Sequence, residues 1–277
     1  MSIIGLIDIF VVEIGKTGGL WQFHAMRAAM AVPVLILVAL LWGVSLRPVR
    51  IGPVAARTFF LASAMVLYFG SLPVMPIALV VAGLFTSPVF VLLISALVFG
   101  ERIGPRRIIA VAIGFCGGLL ILNPFGADFD PAFLVPVAAG FLYALNVITI
   151  RRYCEEEATL TLLTWFFAAL GLIGAIGATA MSGDMSAAFH ERGWMMPGPV
   201  FLFWTAVQAV GSMIAIFMLT RAYQIAAPTY LAVFEYSMLV FASFWAWVVY
   251  GQTVGALAWA GMALVALSGT IIALRSR

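Results

Sequence analysis

The chain has 277 residues, of which 65% are hydrophobic and only 9% charged, with a mean hydropathy of +1.16. An ordinary soluble domain carries about 25% charged residues, so this composition excludes one and places the chain in a membrane. The net charge of +3 does not point to nucleic acid, because fourteen Lys and Arg scattered through apolar sequence form no basic arm or patch.

The apolar residues come in runs of roughly 20, enough to cross a hydrocarbon core of about 30 Å as a helix; a membrane barrel would need alternating strands of about ten. With Gly, Pro and polar clusters as punctuation, ten stretches follow in chain order: 1–15, 19–43, 54–72, 76–99, 105–123, 131–151, 158–181, 198–220, 227–250 and 254–274. The expected fold is therefore an all-α membrane protein of ten transmembrane helices with short connections. The first stretch rises only about 22 Å, which suggests that the natural helix begins before Met1. Cys116 and Cys154 make neither a disulfide framework nor a metal-ligand set, and no cleaved signal peptide is expected.

The excess of Lys and Arg should lie in cytoplasmic loops. With the N-terminus inside, that side receives Arg47, Arg50, Arg57, Arg102, Arg106, Arg107, Arg151, Arg152, Arg221, Arg275 and Arg277. The opposite side has Lys16 and Arg192 with Asp128, Asp130, Asp184 and Glu191. Both termini are thus expected in the cytoplasm of a multi-pass inner-membrane protein.

Charged groups inside a span are costly, by a few kcal/mol on insertion scales, and mark candidate functional positions. Asp8 and Arg27 fall at equal depth in the hairpin turning near Thr17-Gly18-Gly19, so an ion pair is expected, with a structural role and a direct substrate or proton role both open. Glu13 and Lys16, three apart, form a local pair near the helix end. His24 shares a face with Arg27. Glu235 lies about 12 Å into the ninth stretch, which holds no basic residue; it could bind a substrate ammonium group, exchange a proton, or be a hydrogen-bonded interior carboxyl. Tyr68, Tyr143, Asn146, Trp165, Trp204, Gln208 and Tyr236, with Gln22, Ser212 and Tyr230, are the polar and aromatic residues at middle depth that a cavity for a zwitterion would need. The predicted substrate-binding set is Asp8, His24, Arg27, Tyr68, Tyr143, Asn146, Trp165, Trp204, Gln208, Glu235 and Tyr236. Pro73, Pro76 and Pro88 are candidate bending points, and Gly114-x-x-x-Gly118 is a close-packing signal. Gly15-Lys16-Thr17 lacks the upstream glycine of a phosphate-binding loop, and His190-Glu191 lacks a second metal ligand, so neither ATP nor a metal is expected. No nucleophile and base share a depth, so an enzyme is not expected, and no cofactor is called for.

Sliding the fourth and fifth stretches onto the ninth and tenth at an offset of 151 aligns Phe90, Val98, Gly100, Gly104, Ala112, Gly118 and Ile121 with Phe241, Val249, Gly251, Gly255, Ala263, Gly269 and Ile272. Five helices separate these copies, an odd number, so the halves would be inverted. The run from Ser87-Pro88 to Gly100-Glu101-Arg102, the glycines 114, 117 and 118 ending at Asn123-Pro124, and Phe234-Glu235-Tyr236-Ser237 through Tyr250-Gly251-Gln252 resemble the two EamA repeats of the drug/metabolite transporter superfamily. Gln252 departs from the Glu usual at that place. The resemblance implies repeats over 1–123 and 131–277 around a central cavity, with the fifth and tenth helices outside it and a monomer as the working unit. It is most like the YddG-type exporters, which implies export of amino acids by alternating access. Efflux of lipophilic cations or drugs, proton-coupled, is the alternative reading, with Asp8 and Glu235 as countercharge.

Overall fold

The computed structural model describes residues 1–71, 75, 77–122, 131–181, 183–251 and 255–273. Pro73, Pro76, Asn123, Pro124, Asp128, Asp130, Gln252, Arg275 and Arg277 lie outside the described residues. Each of the ten apolar stretches contains helix in its described part, and among the described residues no β-strand forms. The helices are α1 (Ser2–Asp8), α2 (Val11–Thr17), α3 (Leu20–Leu41), α4 (Ile51–Ser71), α5 (Ile77–Leu84), α6 (Ser87–Leu97), α7 (Pro105–Leu122), α8 (Leu134–Tyr153), α9 (Thr159–Ala180), α10 (Pro199–Ile225), α11 (Pro228–Glu235), α12 (Ser237–Tyr250) and α13 (Ala256–Ala273). Among the described residues seven segments are long and apolar enough to cross a membrane: Leu20–Leu41, Ile51–Ser71, Val80–Leu97, Leu134–Tyr153, Thr159–Ala180, Pro199–Ile225 and Pro228–Val249. Large apolar side chains such as Leu40, Leu97, Leu172, Phe203 and Met218 face outward. An apolar surface of that extent belongs against lipid, and the chain is a multi-pass membrane protein.

Three of the ten stretches, each expected as one helix, are broken. The first breaks at Ile9-Phe10, leaving Asp8 as the last residue of α1. In the fourth, Pro88 has no N–H to give to the Leu84 carbonyl, and Thr86 Oγ1 donates to the Gly83 carbonyl at 2.6 Å. In the ninth, Ser237 Oγ donates to the Phe234 carbonyl at 2.6 Å. A hydroxyl that bonds back to the carbonyl three residues earlier competes with the helical ladder, so both breaks have a local cause. Pro88 accordingly starts α6 and does not bend the middle of a helix.

The offset of 151 has structural counterparts. Helices α7 and α13, each of 18 residues, begin 151 residues apart. Gly100 and Gly251, at the same separation, both have φ of 64°, the left-handed conformation in which glycine ends a helix without a Cβ clash. Thr86 and Ser237 are also such a pair, as are Phe85 and Tyr236, whose rings stack at 5.9 Å.

Helix α3 packs on α9, α6 on α11 and α7 on α13. The last contact depends on small residues: a Cβ on Gly117 would stand 2.8 Å from the Gly261 carbonyl oxygen, and one on Gly261 would stand 2.5 Å from that of Gly117. Gly114 and Gly118 face Tyr236, so the predicted close-packing signal serves contacts within the chain.

The two ends of the bundle are tied differently. At one, the segment between α9 and α10 crosses the turn between α2 and α3: Trp21 Nε1 donates to the His190 carbonyl, Gln22 Nε2 to that of Met195 (both 2.6 Å), and Arg192 Nη1 to that of Gly15 (2.7 Å). At the other, the Glu157 carboxylate accepts the backbone N–H groups of Val49 and Arg50 at 2.9 and 2.7 Å, beside the N-terminus of α4. There Arg152 pairs with Glu101 at 2.6 Å over the Phe99 ring, and Arg151 pairs with Glu155.

Candidate functional site

Between these ends lies a cavity of about 120 Å³, lined from α1, α3, α4, α5, α6, α8, α10, α11 and α12. Among the described residues none of α7 or α13 borders it. The lining follows helical spacing: Arg57, Leu61, Met65 and Tyr68 on α4, Tyr143, Asn146, Val147 and Ile150 on α8, and Gln208, Ser212, Ile216, Leu219 and Tyr223 on α10. Residues three and four apart share one face of a helix, so each helix gives one mixed stripe to the cavity.

Among the described residues four charged side chains border it: Asp8, Arg27, Arg57 and Glu235. Near the α9–α10 segment, Gln208 Nε2 donates to Asp8 Oδ1 at 3.1 Å, and Gln208 Oε1 accepts from Arg27 Nη1 at 3.4 Å. The Arg27 guanidinium lies 5.0, 5.5 and 5.6 Å from the ring centres of Phe23, Phe69 and Phe167, distances at which ring quadrupoles attract a cation. The expected Asp8–Arg27 ion pair is not direct; a neutral amide stands between the two charges.

Along α10 from Gln208 to Tyr223 the helix rises about 22 Å. At that far end the hydroxyls of Tyr143 and Tyr223 donate to Glu235 Oε1 at 2.8 and 2.6 Å. Glu235 is the last residue of α11, so the break in the ninth stretch falls immediately after the buried carboxylate. Arg57 is fully buried; its Nη1 donates to the Leu162 carbonyl at 2.7 Å and its Nη2 to Thr220 Oγ1 at 3.4 Å. This corrects its assignment to a cytoplasmic loop: α4 begins at Ile51, which carries Arg57 nearly two turns into the span. Among the described residues no ion pair involves any of these four groups. Cys154, just past α8, is buried, and burial pushes its thiol up to about 11, so it is neutral and a poor nucleophile.

Of the predicted set, Asp8, Arg27, Tyr68, Tyr143, Asn146, Gln208 and Glu235 line the cavity. Four do not. His24 is fully buried with its ring edge-on to Phe69. Trp165 Nε1 reaches the Leu46 carbonyl at 3.4 Å, Trp204 stacks on Phe10 at 4.2 Å, and Tyr236 packs against Gly114 and Phe85. Depth in the membrane was readable for these four, but not the direction each side chain takes around its helix. The lining residues missing from the predicted set are chiefly Arg57, Tyr223, Thr220 and Ser87; the charge of Arg57 inside the stretch 54–72 was the available signal for it. The Glu13–Lys16 pair forms as expected, at 2.7 Å.

No family model matches the chain. It is 28% identical over 232 residues to a riboflavin transporter of Vibrio cholerae, a match covering 82% of this chain and 73% of that protein. It is 26% identical over 246 residues to the pseudopaline exporter CntI of Pseudomonas aeruginosa, covering 87% and 82%. An S-adenosylmethionine uptake transporter of Rickettsia prowazekii is 24% identical over 194 residues, covering 68% and 62%. A crystal structure shares the fold at a TM-score of 0.82 and 18% identity, over 99% of this chain and 95% of that one. The relatives are named as transporters of small molecules, some for uptake and some for export. That agrees with the drug/metabolite transporter resemblance without singling out amino acid exporters.

Proposed function

We propose that the chain moves amino acids and related zwitterionic metabolites across a bacterial inner membrane by alternating access. The halves 1–123 and 131–277 act as inverted repeats, with both termini cytoplasmic, export as the direction and a monomer as the unit. One observation carries the reading: two carboxylates and two guanidiniums border a single buried cavity. Isolated charges at such depth cost a few kcal/mol each, and here none is neutralised by a direct ion pair among the described residues. A zwitterion supplies both missing signs, its carboxylate to a guanidinium and its ammonium group to Asp8 or Glu235, while Tyr68, Phe69 and Phe85 offer apolar and aromatic surface to its side chain.

The rival cargo is a lipophilic cation. It is favoured by Glu235, which has two phenol partners and, among the described residues, no direct ion pair, and opposed by the two guanidiniums that border the same cavity. The test is uptake into liposomes holding the purified protein, with and without a pH gradient, for a panel of radiolabelled aromatic and aliphatic amino acids, riboflavin, S-adenosylmethionine and a cationic dye. Saturable flux of amino acids, competed by other amino acids, is expected. Flux of the dye or of riboflavin with none for amino acids would sink the cargo assignment.

A further inference from the structure

Gln208 holds a position that neither packing nor charge neutralisation explains. It is 1% exposed on α10, and its amide joins an acid on α1 to a base on α3. Were the sole need to neutralise Asp8 and Arg27, a direct ion pair would serve better: charge-assisted bonds are about twice as strong as neutral ones and arginine meets a carboxylate in two parallel bonds. Instead Arg27 has a neutral oxygen at 3.4 Å, the long end of the range, while its Nε and Nη2 have no hydrogen-bond partner among the described residues. A buried donor left without an acceptor favours any ligand that supplies one. The guanidinium is therefore under-satisfied in hydrogen bonds, and the oxygen it does hold is a neutral acceptor, weaker for it than a carboxylate.

Resting on the reading of the cavity as a zwitterion site, we propose that Gln208 is a placeholder for the substrate carboxylate. In the empty cavity its amide oxygen occupies the acceptor position at Arg27. A substrate carboxylate displaces that oxygen, because a charged acceptor binds guanidinium more strongly than an amide does. Gln208 keeps its donor on Asp8 and so holds that carboxylate apart from Arg27 in both states. The amide thus prevents the two built-in charges from closing on each other and leaves the guanidinium exchangeable. Gln208 is a positioning and specificity residue, acting through Arg27 and Asp8.

The test uses the purified full-length protein and two probes that differ only at the group in question, 3-phenylpropanoate and 3-phenylpropanamide, with binding followed calorimetrically. The wild-type protein is expected to prefer the carboxylate by about tenfold. Gln208→Glu places a built-in carboxylate beside Arg27 and should reduce that preference to about one. Gln208→Met keeps length and volume but removes both the oxygen and the donor that holds Asp8, so alone it lets Asp8 close on Arg27 and the preference should fall; in an Asp8→Asn background, where no built-in carboxylate can close on Arg27, Gln208→Met should keep the preference or raise it. Binding of neither probe, an equal preference in wild type and Gln208→Glu, or loss of the preference in Asp8→Asn/Gln208→Met would each overturn the placeholder. If Gln208→Glu does not fold, Asp8→Asn/Gln208→Met still decides, since a structural amide would lose affinity for both probes alike. Amino acid flux is measured separately, so failure of the cargo assignment and failure of the placeholder are distinguishable.

Discussion

The two polar ends of the cavity solve one problem in different ways. Near the α9–α10 segment, acid and base are joined through one amide and the base is surrounded by three aromatic rings. Near the opposite end, the acid Glu235 rests on two phenols, while the base Arg57 is held by a backbone carbonyl of α9 and a hydroxyl of α10. Asp8 and Arg27 thus share a hydrogen-bond partner, whereas among the described residues Glu235 and Arg57 share none, though Tyr143, which donates to Glu235, also interacts electrostatically with Arg57. Charge alone does not assign roles here. The first pair is joined by hydrogen bonds and should respond as a unit; the second pair is joined only at longer range, and each member should be separately replaceable or not.

The largest effect should come from Arg57→Leu. It frees the Leu162 carbonyl and leaves the cavity wall net acidic, and flux per inserted molecule should fall by about a hundredfold, equivalent to about 2.7 kcal/mol. Arg57→Lys should recover little, because an ammonium group lacks the fork that reaches both partners. Asp8→Asn and Arg27→Gln should each reduce flux by about tenfold, about 1.4 kcal/mol. If they serve only as a structural pair, the double variant recovers both folding and transport; the zwitterion site predicts that it folds and does not transport. Glu235→Gln keeps an oxygen for both phenols, so melting should be nearly unchanged while flux of ammonium-bearing substrates drops by several-fold; unchanged rate and pH dependence would remove Glu235 from the mechanism. The smallest effect should be that of Trp165→Phe, whose ring lies away from the cavity, with flux within about twofold of wild type because only one long hydrogen bond is lost.

Much of the fold was readable in the sequence because the bilayer requires a helix wherever about 20 apolar residues run together. The breaks were less readable. Thr86 and Ser237 are ordinary helix residues until their hydroxyls turn back on Gly83 and Phe234, and nothing in composition marks that choice. The site was readable by depth and not by direction. Asp8, Arg27, Gln208 and Glu235 stood out as polar groups in apolar surroundings, but in helices apolar on every side the period of 3.6 residues carries little signal about which face looks inward. For that reason Trp165 and Trp204 were grouped with Tyr68 and Tyr143, although only the tyrosines reach the cavity. A base near the end of a stretch, as Arg57 is, looks the same in sequence whether it lies in a loop or in the first turns of a span.

A cavity that is the substrate site of an alternating-access transporter opens to each side in turn. Ser212 lines it on α10, and Ser212→Cys adds little volume while providing a thiol; Cys154 is buried and neutral, and Cys116 is replaced by Ala so that the new thiol is read alone. A charged thiol reagent applied to oriented vesicles from one side and then from the other, with and without an amino acid, reports on both parts of the claim. Labelling from both sides that the amino acid slows is the expected result. Labelling from neither side, or labelling that no amino acid alters, would contradict it.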